Sequence, residues 1–390
     1  MKKSAIVSSL DNLASQKLDA LKFRSQKRKI LVTQRGKNSV VYRDTKKLIS
    51  FCCNDYLGLS QNKAVKKAAT DVIEEFGVGA GASRLVTGNH PLYQRLETKL
   101  AHIKNTNAAL VFGSGYLANI GITPALVGPR DLVVADELVH SSLHGGIRAS
   151  KANVRYFKHN DIDDCHKILC EQRDSYQHCL LITEGVFSMD GDRAPLSQLC
   201  DLSDKFNVWL MTDDAHGFGV LGGGKGTAVE EGVEGRIPLQ MGTLSKAVGS
   251  YGGFLCASRP VIELLVNRAR SLIYATGLPP SAVAAACAAL NLIAKDGKLV
   301  AAPMEKAQRF CQQLGLCEPK SPIVPLILGE SHKALEASEG LASDGFLVTA
   351  IRPPTVPAGT ARLRFTFSAT HADSDIDRLT VVVRKLGLVK

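Results

Sequence analysis

No two cysteines in this 390-residue chain are spaced as CxxC, so zinc ribbons and thioredoxin-like redox motifs lack their ligands. The ten cysteines are scattered, and only Cys52 and Cys53 are adjacent. Cys179, Cys256 and Cys287 stand in apolar runs, where a free thiol acts as a small core residue. Structural disulfides are not expected in a reducing compartment, and no bound metal is expected. No apolar run reaches membrane-spanning length, so no membrane partner is expected. The opening residues, MKKSAIVSSLDNL, are basic, but their apolar stretch is too short and interrupted for a secretory signal. The expected location is cytoplasmic. The chain shows neither an internal repeat nor a low-complexity segment.

Acidic residues are scarce in the first fifty positions, three Asp against thirteen Lys and Arg. The net charge of +11 therefore belongs almost wholly to one N-terminal arm. Such an arm invites a nucleic-acid reading, but it lacks interleaved aromatics, and the rest of the chain reads as an enzyme. No nucleic-acid partner is expected. An anionic substrate or an acidic carrier protein suits the charge better.

The length allows one large and one smaller domain, and the 45% hydrophobic content supports a sizeable core. Residues 11–30 read as a basic amphipathic helix with Leu13, Leu18 and Leu21 on one side. VVYR and LISF read as a hairpin, and NDYLGLS (54–60) as a polar turn before a helix near 63–76. The glycine-rich stretch GVGAGASRLVTG (77–88) follows a helix rather than a strand, so the dinucleotide-binding context is missing; it reads as a lining loop. From Thr106 onward the runs AALVF, DLVVAD, VRYF, CLLITEGV, VWLMTD, PLQMGT and GGFLCAS alternate with helix-length segments. Seven such strands predict an α/β fold, a mostly parallel sheet flanked by helices. From about 286 the runs IVPLIL, FLVTAI and ARLRFTFSA predict a smaller α+β domain ending in a helix over 374–385. The expected organisation is a basic arm (1–55), a large domain (56–285) and a small C-terminal domain (286–390).

Lys246 in MGTLSKAVGSYGG (241–253) stands after an apolar run and before glycines that let a ligand approach the backbone. A lysine amine in a closed site can form a Schiff base with a carbonyl cofactor. Upstream, VWLMTDDAHGFG (208–219) reads as a buried strand ending in Asp213, Asp214 and His216. A carboxylate at a strand mouth can keep a pyridinium nitrogen protonated, the second protein feature of a pyridoxal phosphate (PLP) site. Taken alone, DDAH reads equally well as a helix cap or a metal-ligating pair. The lysine downstream favours PLP. FGSGYLAN (112–119) opens a helix whose first amides can cradle a phosphate. His140 in DELVHSSLHGG can stack on a cofactor ring or cap a helix, and Ser188 in EGVFSMDGD can meet the cofactor's phenolic oxygen.

These motifs, in the order SGYLAN, DELVHSSLHGG, EGVFSMDGD, DDAHGFGVLG, TLSKAVGSYGG and IYATGLPP, resemble the α-oxoamine synthases. These are PLP enzymes of fold type I, class-II aminotransferase-like, which condense an amino acid with an acyl thioester and lose CO2. The resemblance spans nearly the whole chain. It implies Lys246 as the Schiff-base lysine, Asp213 at the pyridinium nitrogen, His140 stacked on the ring, and His216 and Ser188 at the phenolic oxygen. It also implies Gly115, Tyr116 and Thr243 as phosphate or cofactor contacts, and Thr276 as a contact from the neighbouring subunit of a homodimer. Arg364 and Asn54 match groups that hold the amino-acid carboxylate, and Thr355 an acyl-substrate contact. The family's arm arginine falls on Lys22 or Arg24, with Arg24 the candidate. AIRPPTVPAGTARLRFTFSATH (350–371) is most similar to the biotin-pathway branch, which joins L-alanine to a pimeloyl thioester of coenzyme A or an acyl carrier protein. The segment TLSK, where that branch has TFGK, is nearer to other members, so glycine- and serine-using branches stay as the alternative.

Overall fold

The computed structural model describes residues 5–389. They form two compact units, one of residues 53–323 with 366–371, the other of residues 5–52 with 324–365 and 372–389. No helix among the described residues is long and apolar enough to cross a membrane.

The smaller unit begins with a helix over Ala5–Phe23, six residues earlier than the sequence predicts and ending well short of residue 30. It stops because Ser25 takes a left-handed conformation (φ 54°). Its leucines are exposed, Leu13 by 50% and Leu18 by 45%, because an amphipathic period specifies a helix but not the surface that covers it. The strands β1 (Gln34–Arg35), β2 (Val40–Arg43) and β3 (Lys46–Ser50) follow as an antiparallel meander that includes the expected hairpin.

The larger unit is built on β4 (Ala108–Phe112), β5 (Leu132–Asp136), β6 (Asn153–Phe157), β7 (Cys179–Glu184), β8 (Trp209–Asp213), β9 (Leu239–Thr243) and β10 (Gly253–Ala257). Their order is β4-β10-β9-β8-β7-β5-β6, and only β10 runs against its neighbours. The strands β5, β7, β9 and β10 are buried along their whole length, as their unbroken apolar runs require of a sheet covered on both faces. Side chains alternate between two cores: Ala109, Val111, Phe254 and Cys256 enter one, Leu110, Phe112, Leu255 and Ala257 the other. The edge strand β6 exposes Asn153, Arg155 and Tyr156, polar bodies that blunt an open edge. The helix Lys63–Phe76 has the predicted bounds, with the Asn62 side chain capping its first amides.

In the smaller unit's C-terminal part, β12 (Phe346–Leu347) pairs in parallel with β3, and β11 (Ile323–Gly329), β14 (Ala361–Thr366) and β13 (Thr349–Ile351) form a second sheet. The last helix covers Asp373–Lys385. Residue 286, where the sequence places a boundary, lies inside the helix Pro280–Lys295, whose apolar face packs on Lys63–Phe76 and Pro91–Ile103. The composition shift there marks an alanine-rich helix of the larger unit. The β3–β12 pairing makes the N-terminal arm part of the smaller unit rather than a domain of its own.

Behind the end of β8 lies a buried ion pair. Lys104 Nζ, with no exposed side-chain surface, donates to Asp214 Oδ2 at 2.8 Å and to the Lys225 carbonyl at 2.9 Å. Asp214 also accepts from the Thr227 amide and hydroxyl, so the second aspartate of DDAH is committed to structure. Replacing Lys104 with Met should cost about 3–5 kcal/mol, since it strands a buried charge. The denaturant midpoint measures this, and adding Asp214→Asn should restore part of the loss. A single variant as stable as the parent chain would sink the account.

Candidate active site

The parallel strands β7, β8 and β9 end side by side, with Glu184 paired to Asp213 and Asp213 to Met241. In such sheets ligands bind beyond the carboxyl ends of the strands. Lys246 lies in the turn after β9, and its Nζ is 2.8 Å from Nε2 of His216. On the other side of that ring, Nδ1 is 2.7 Å from the hydroxyl of Tyr56, a fully buried residue. An ammonium only donates, so a charged Lys246 requires His216 to carry its proton on Nδ1 and give it to Tyr56. A neutral Lys246 amine allows the chain to run in reverse.

Asp213 is buried, and both its oxygens accept bonds: Oδ2 from Asn119 Nδ2 at 2.7 Å and Oδ1 from the Ala215 amide at 3.0 Å. Asn119 also donates to Ser142 Oγ at 3.0 Å, and that hydroxyl is 2.6 Å from His140 Nδ1. His140 caps the helix Ser141–Ser150, and its own amide donates to Glu184 at 2.5 Å. His140 is an exposed residue whose Nδ1 edge faces the Ser142 hydroxyl. Burial of that edge lowers its pKa, Asp213 opposing and Lys246 assisting. Complete burial, then the Asp213 charge, push Glu184 well above the ordinary carboxylate range.

Gly115 and Tyr116 open the helix Gly115–Leu126, capped by Ser114, where the first amides have no partners within the helix. Glycine is needed at 253 because a Cβ there would lie 2.6 Å from the Gly115 nitrogen. The chain thus crosses close beneath the helix start and leaves a cradle suited to a phosphate. Thr243 spends its hydroxyl on the Gly252 carbonyl and on Ser245, both at 2.8 Å. Ser188 lies half-buried in the loop after β7, and Asn54 in the turn before Tyr56. Thr276 is exposed and bridges to Ser83 of the glycine-rich loop.

A charged clamp holds the Ser188 loop. Nδ1 of His159 lies 3.1 Å from Asp136 at the end of β5, and Nε2 lies 2.8 Å from Asp192. The ring stands edge-on to Phe187, 4.4 Å between centroids. Burial opposes its charge, but the bonds to Asp136 and Asp192 outweigh it and raise the pKa to about 10.

The remaining candidates lie in the smaller unit. Arg364 is buried on β14, two residues from the equally buried Arg362 on the same strand face. Thr355 accepts a 2.8 Å bond from Arg28 of the arm. The helix ends before the arm reaches that point, so register along a helix does not predict the pairing. Arg28, Lys22, Lys27, Lys29, Arg352 and Thr355 line a cavity of about 840 Å³. Sequence reasoning passed over Tyr56, Asn119, Glu184 and His159 as site residues. Asn119 closes FGSGYLAN four residues after Gly115, hence on the same helix face, which is the signal that pointed to it.

A lysine amine, an acceptor-only carboxylate and a helix N-terminus at one sheet end are the parts that a PLP site needs. The family model for aminotransferase class I and II matches residues 46–383, and the chain belongs to that family. The 8-amino-7-oxononanoate synthase of Methylocella silvestris is 57% identical over 346 residues, 89% of this chain and 99% of that one. Serine palmitoyltransferase from S. paucimobilis, solved with bound PLP and myriocin, is 28% identical with a TM-score of 0.90, over 99% of this chain and 100% of that one. The 8-amino-7-oxononanoate synthase from Francisella tularensis is 28% identical with a TM-score of 0.72, over 87% of this chain and 97% of that one.

The clamp gives a pH-dependent prediction. A raised folded-state pKa adds stability that is fully present below about 6.5 and is lost as pH rises towards about 10. His159→Gln should therefore cost roughly 2–3 kcal/mol near pH 6, less than a fully buried pair because the ring is partly open. The melting-temperature gap between parent and variant should narrow steadily towards pH 10. A gap independent of pH would refute the charged clamp.

Proposed function

We propose that the chain is a PLP-dependent acyltransferase that condenses L-alanine with a pimeloyl thioester, of coenzyme A or an acyl carrier protein. The products are 8-amino-7-oxononanoate, CO2 and the free thiol, a step of biotin biosynthesis. The observation that carries the chemistry is the Lys246 amine bonded to His216 beside the buried Asp213 carboxylate at the strand ends. The substrates rest on the relatives.

When bound, PLP supplies an electron sink for negative charge at the amino acid's α-carbon. Asp213 would accept a bond from the ring nitrogen and compensate its charge. The Gly115–Tyr116 amides would bind the phosphate beside Thr243, whose hydroxyl is held by the Gly252 carbonyl, and Thr276 would do so for the neighbouring subunit of a homodimer. His140 would stack on the ring, while Ser188 and His216 would bond its phenolic oxygen. Lys246, as a neutral amine, removes the α-proton as general base, and His216 and Tyr56 buffer the charge it gains. Asn54 bonds the substrate's carboxylate, and Arg364 offers such a group a bidentate fork. The cationic cavity beside Thr355 supports an anionic acyl donor. The likeness to serine palmitoyltransferase and the TLSK segment favour a glycine- or serine-using branch as the second reading.

Lys246→Ala should abolish turnover and the yellow absorbance of the lysine-bound cofactor while circular dichroism stays unchanged. A variant that retains a borohydride-reducible cofactor linkage would show that another lysine does this work.

The amino-acid choice is tested by mass spectrometry of products across amino-acid and acyl-thioester pairs. L-alanine should outrun glycine with pimeloyl thioester by about 10- to 200-fold, the range that one methyl group in an apolar pocket provides. Faster turnover of glycine with a short acyl thioester would replace this reading with the glycine-using one.

A further inference from the structure

We propose that Asn119 and Ser142 are positioning residues that place the proton of His140 on Nε2, with Asn119 holding Oδ2 of Asp213 as an acceptor. What they prepare is the cofactor pocket proposed above; the proton assignment itself does not depend on that pocket being loaded.

The direction of every bond in the chain follows from groups that can act in only one way. A carboxylate only accepts, so the Asn119 amide must turn its NH2 towards Asp213. Its second N–H then points to Ser142 Oγ, which must accept. That leaves the Ser142 hydroxyl proton for His140 Nδ1, 2.6 Å away. The Ser142 backbone amide, which can only donate, also lies 3.3 Å from the same nitrogen. Two donors converge on Nδ1, so Nδ1 carries no hydrogen and the neutral ring is protonated on Nε2. A proton on Nδ1 would face the Ser142 amide head-on and leave the hydroxyl two donors and no acceptor. The lowered pKa of His140 agrees with a neutral ring.

The fold makes room for this chain at one position. Asn119 lies on the helix Gly115–Leu126 and Ser142 on the helix Ser141–Ser150. They meet because residue 146 is glycine: a Cβ there would stand 2.4 Å from the Asn119 carbonyl and 3.2 Å from Thr123 Oγ1. The His140 backbone is fixed separately by its amide bond to Glu184. Tautomer and main-chain position are therefore set by different groups and can be separated by substitution.

The test is nitrogen-15 NMR of the full chain labelled at histidine, with and without added PLP, the His140 signals being assigned by their loss in His140→Gln. Expected at neutral pH is one neutral tautomer with Nδ1 unprotonated. Ser142→Ala and Asn119→Ala should convert it to a mixture or to the Nδ1-protonated form, and Ser142→Thr should preserve it. Gly146→Ala should have the same effect as Asn119→Ala without altering any member of the chain. A parent His140 that is cationic or protonated on Nδ1, or a folded Ser142→Ala with an unchanged tautomer, overturns the proposal. If Ser142→Ala does not fold, Asn119→Ala and Gly146→Ala decide in the same way. Failure of the chain to take up PLP while the tautomer behaves as described would sink the proposed function and leave this assignment standing.

Discussion

Two carboxylates, Glu184 and Asp213, end neighbouring parallel strands in a dry interior, and the larger unit is arranged around tolerating them. Two adjacent buried charges of one sign cannot both be kept cheaply. The pair is resolved asymmetrically. Glu184 is driven towards its neutral form and, among the described residues, receives the His140 amide alone. Asp213 receives the Asn119 side chain on one oxygen and the Ala215 amide on the other. One carboxylate is thus left able to stabilise a cation at the sheet end, which is what protonated pyridine chemistry asks of a protein.

The elements around the pair are held by charges that serve structure. Lys104 and Asp214 lock the chain that leaves β8, so that Asp213 and His216 are presented from a fixed turn. His159 ties the end of β5 to the loop that carries Ser188. The Lys104–Asp214 pair is fully buried and the His159 clamp partly so, and both lose their value if one partner is removed. Rigid supports of this kind hold the turn that presents His216 to Lys246.

Much of this was legible from local pattern. The seven runs predicted as strands are strands, because a continuous apolar run of strand length has few alternatives in a covered sheet. Gly115, Asp213, His216 and Lys246 fall at the one sheet end where the motifs suggested they would gather. The limits were physical. Leu13, Leu18 and Leu21 announced a helix face without saying what covers it. An alanine-rich helix near 286 imitated a domain boundary. The arm reached Thr355 with Arg28 because the helix ended early, which depends on a single left-handed residue.

By itself the sequence determined the order of strands and helices, the family, and which residue types stand at strand ends, since these depend on near neighbours and on period. Only the tertiary structure decided which polar groups face one another. Tyr56 meets His216 across 160 residues, and Asn119 meets Asp213 across 94. The direction of a hydrogen bond, the proton on an imidazole and the ionisation of Glu184 are properties of such encounters in a medium of low polarity. A buried polar group must find its partner wherever the fold places one, and linear spacing carries no record of that place.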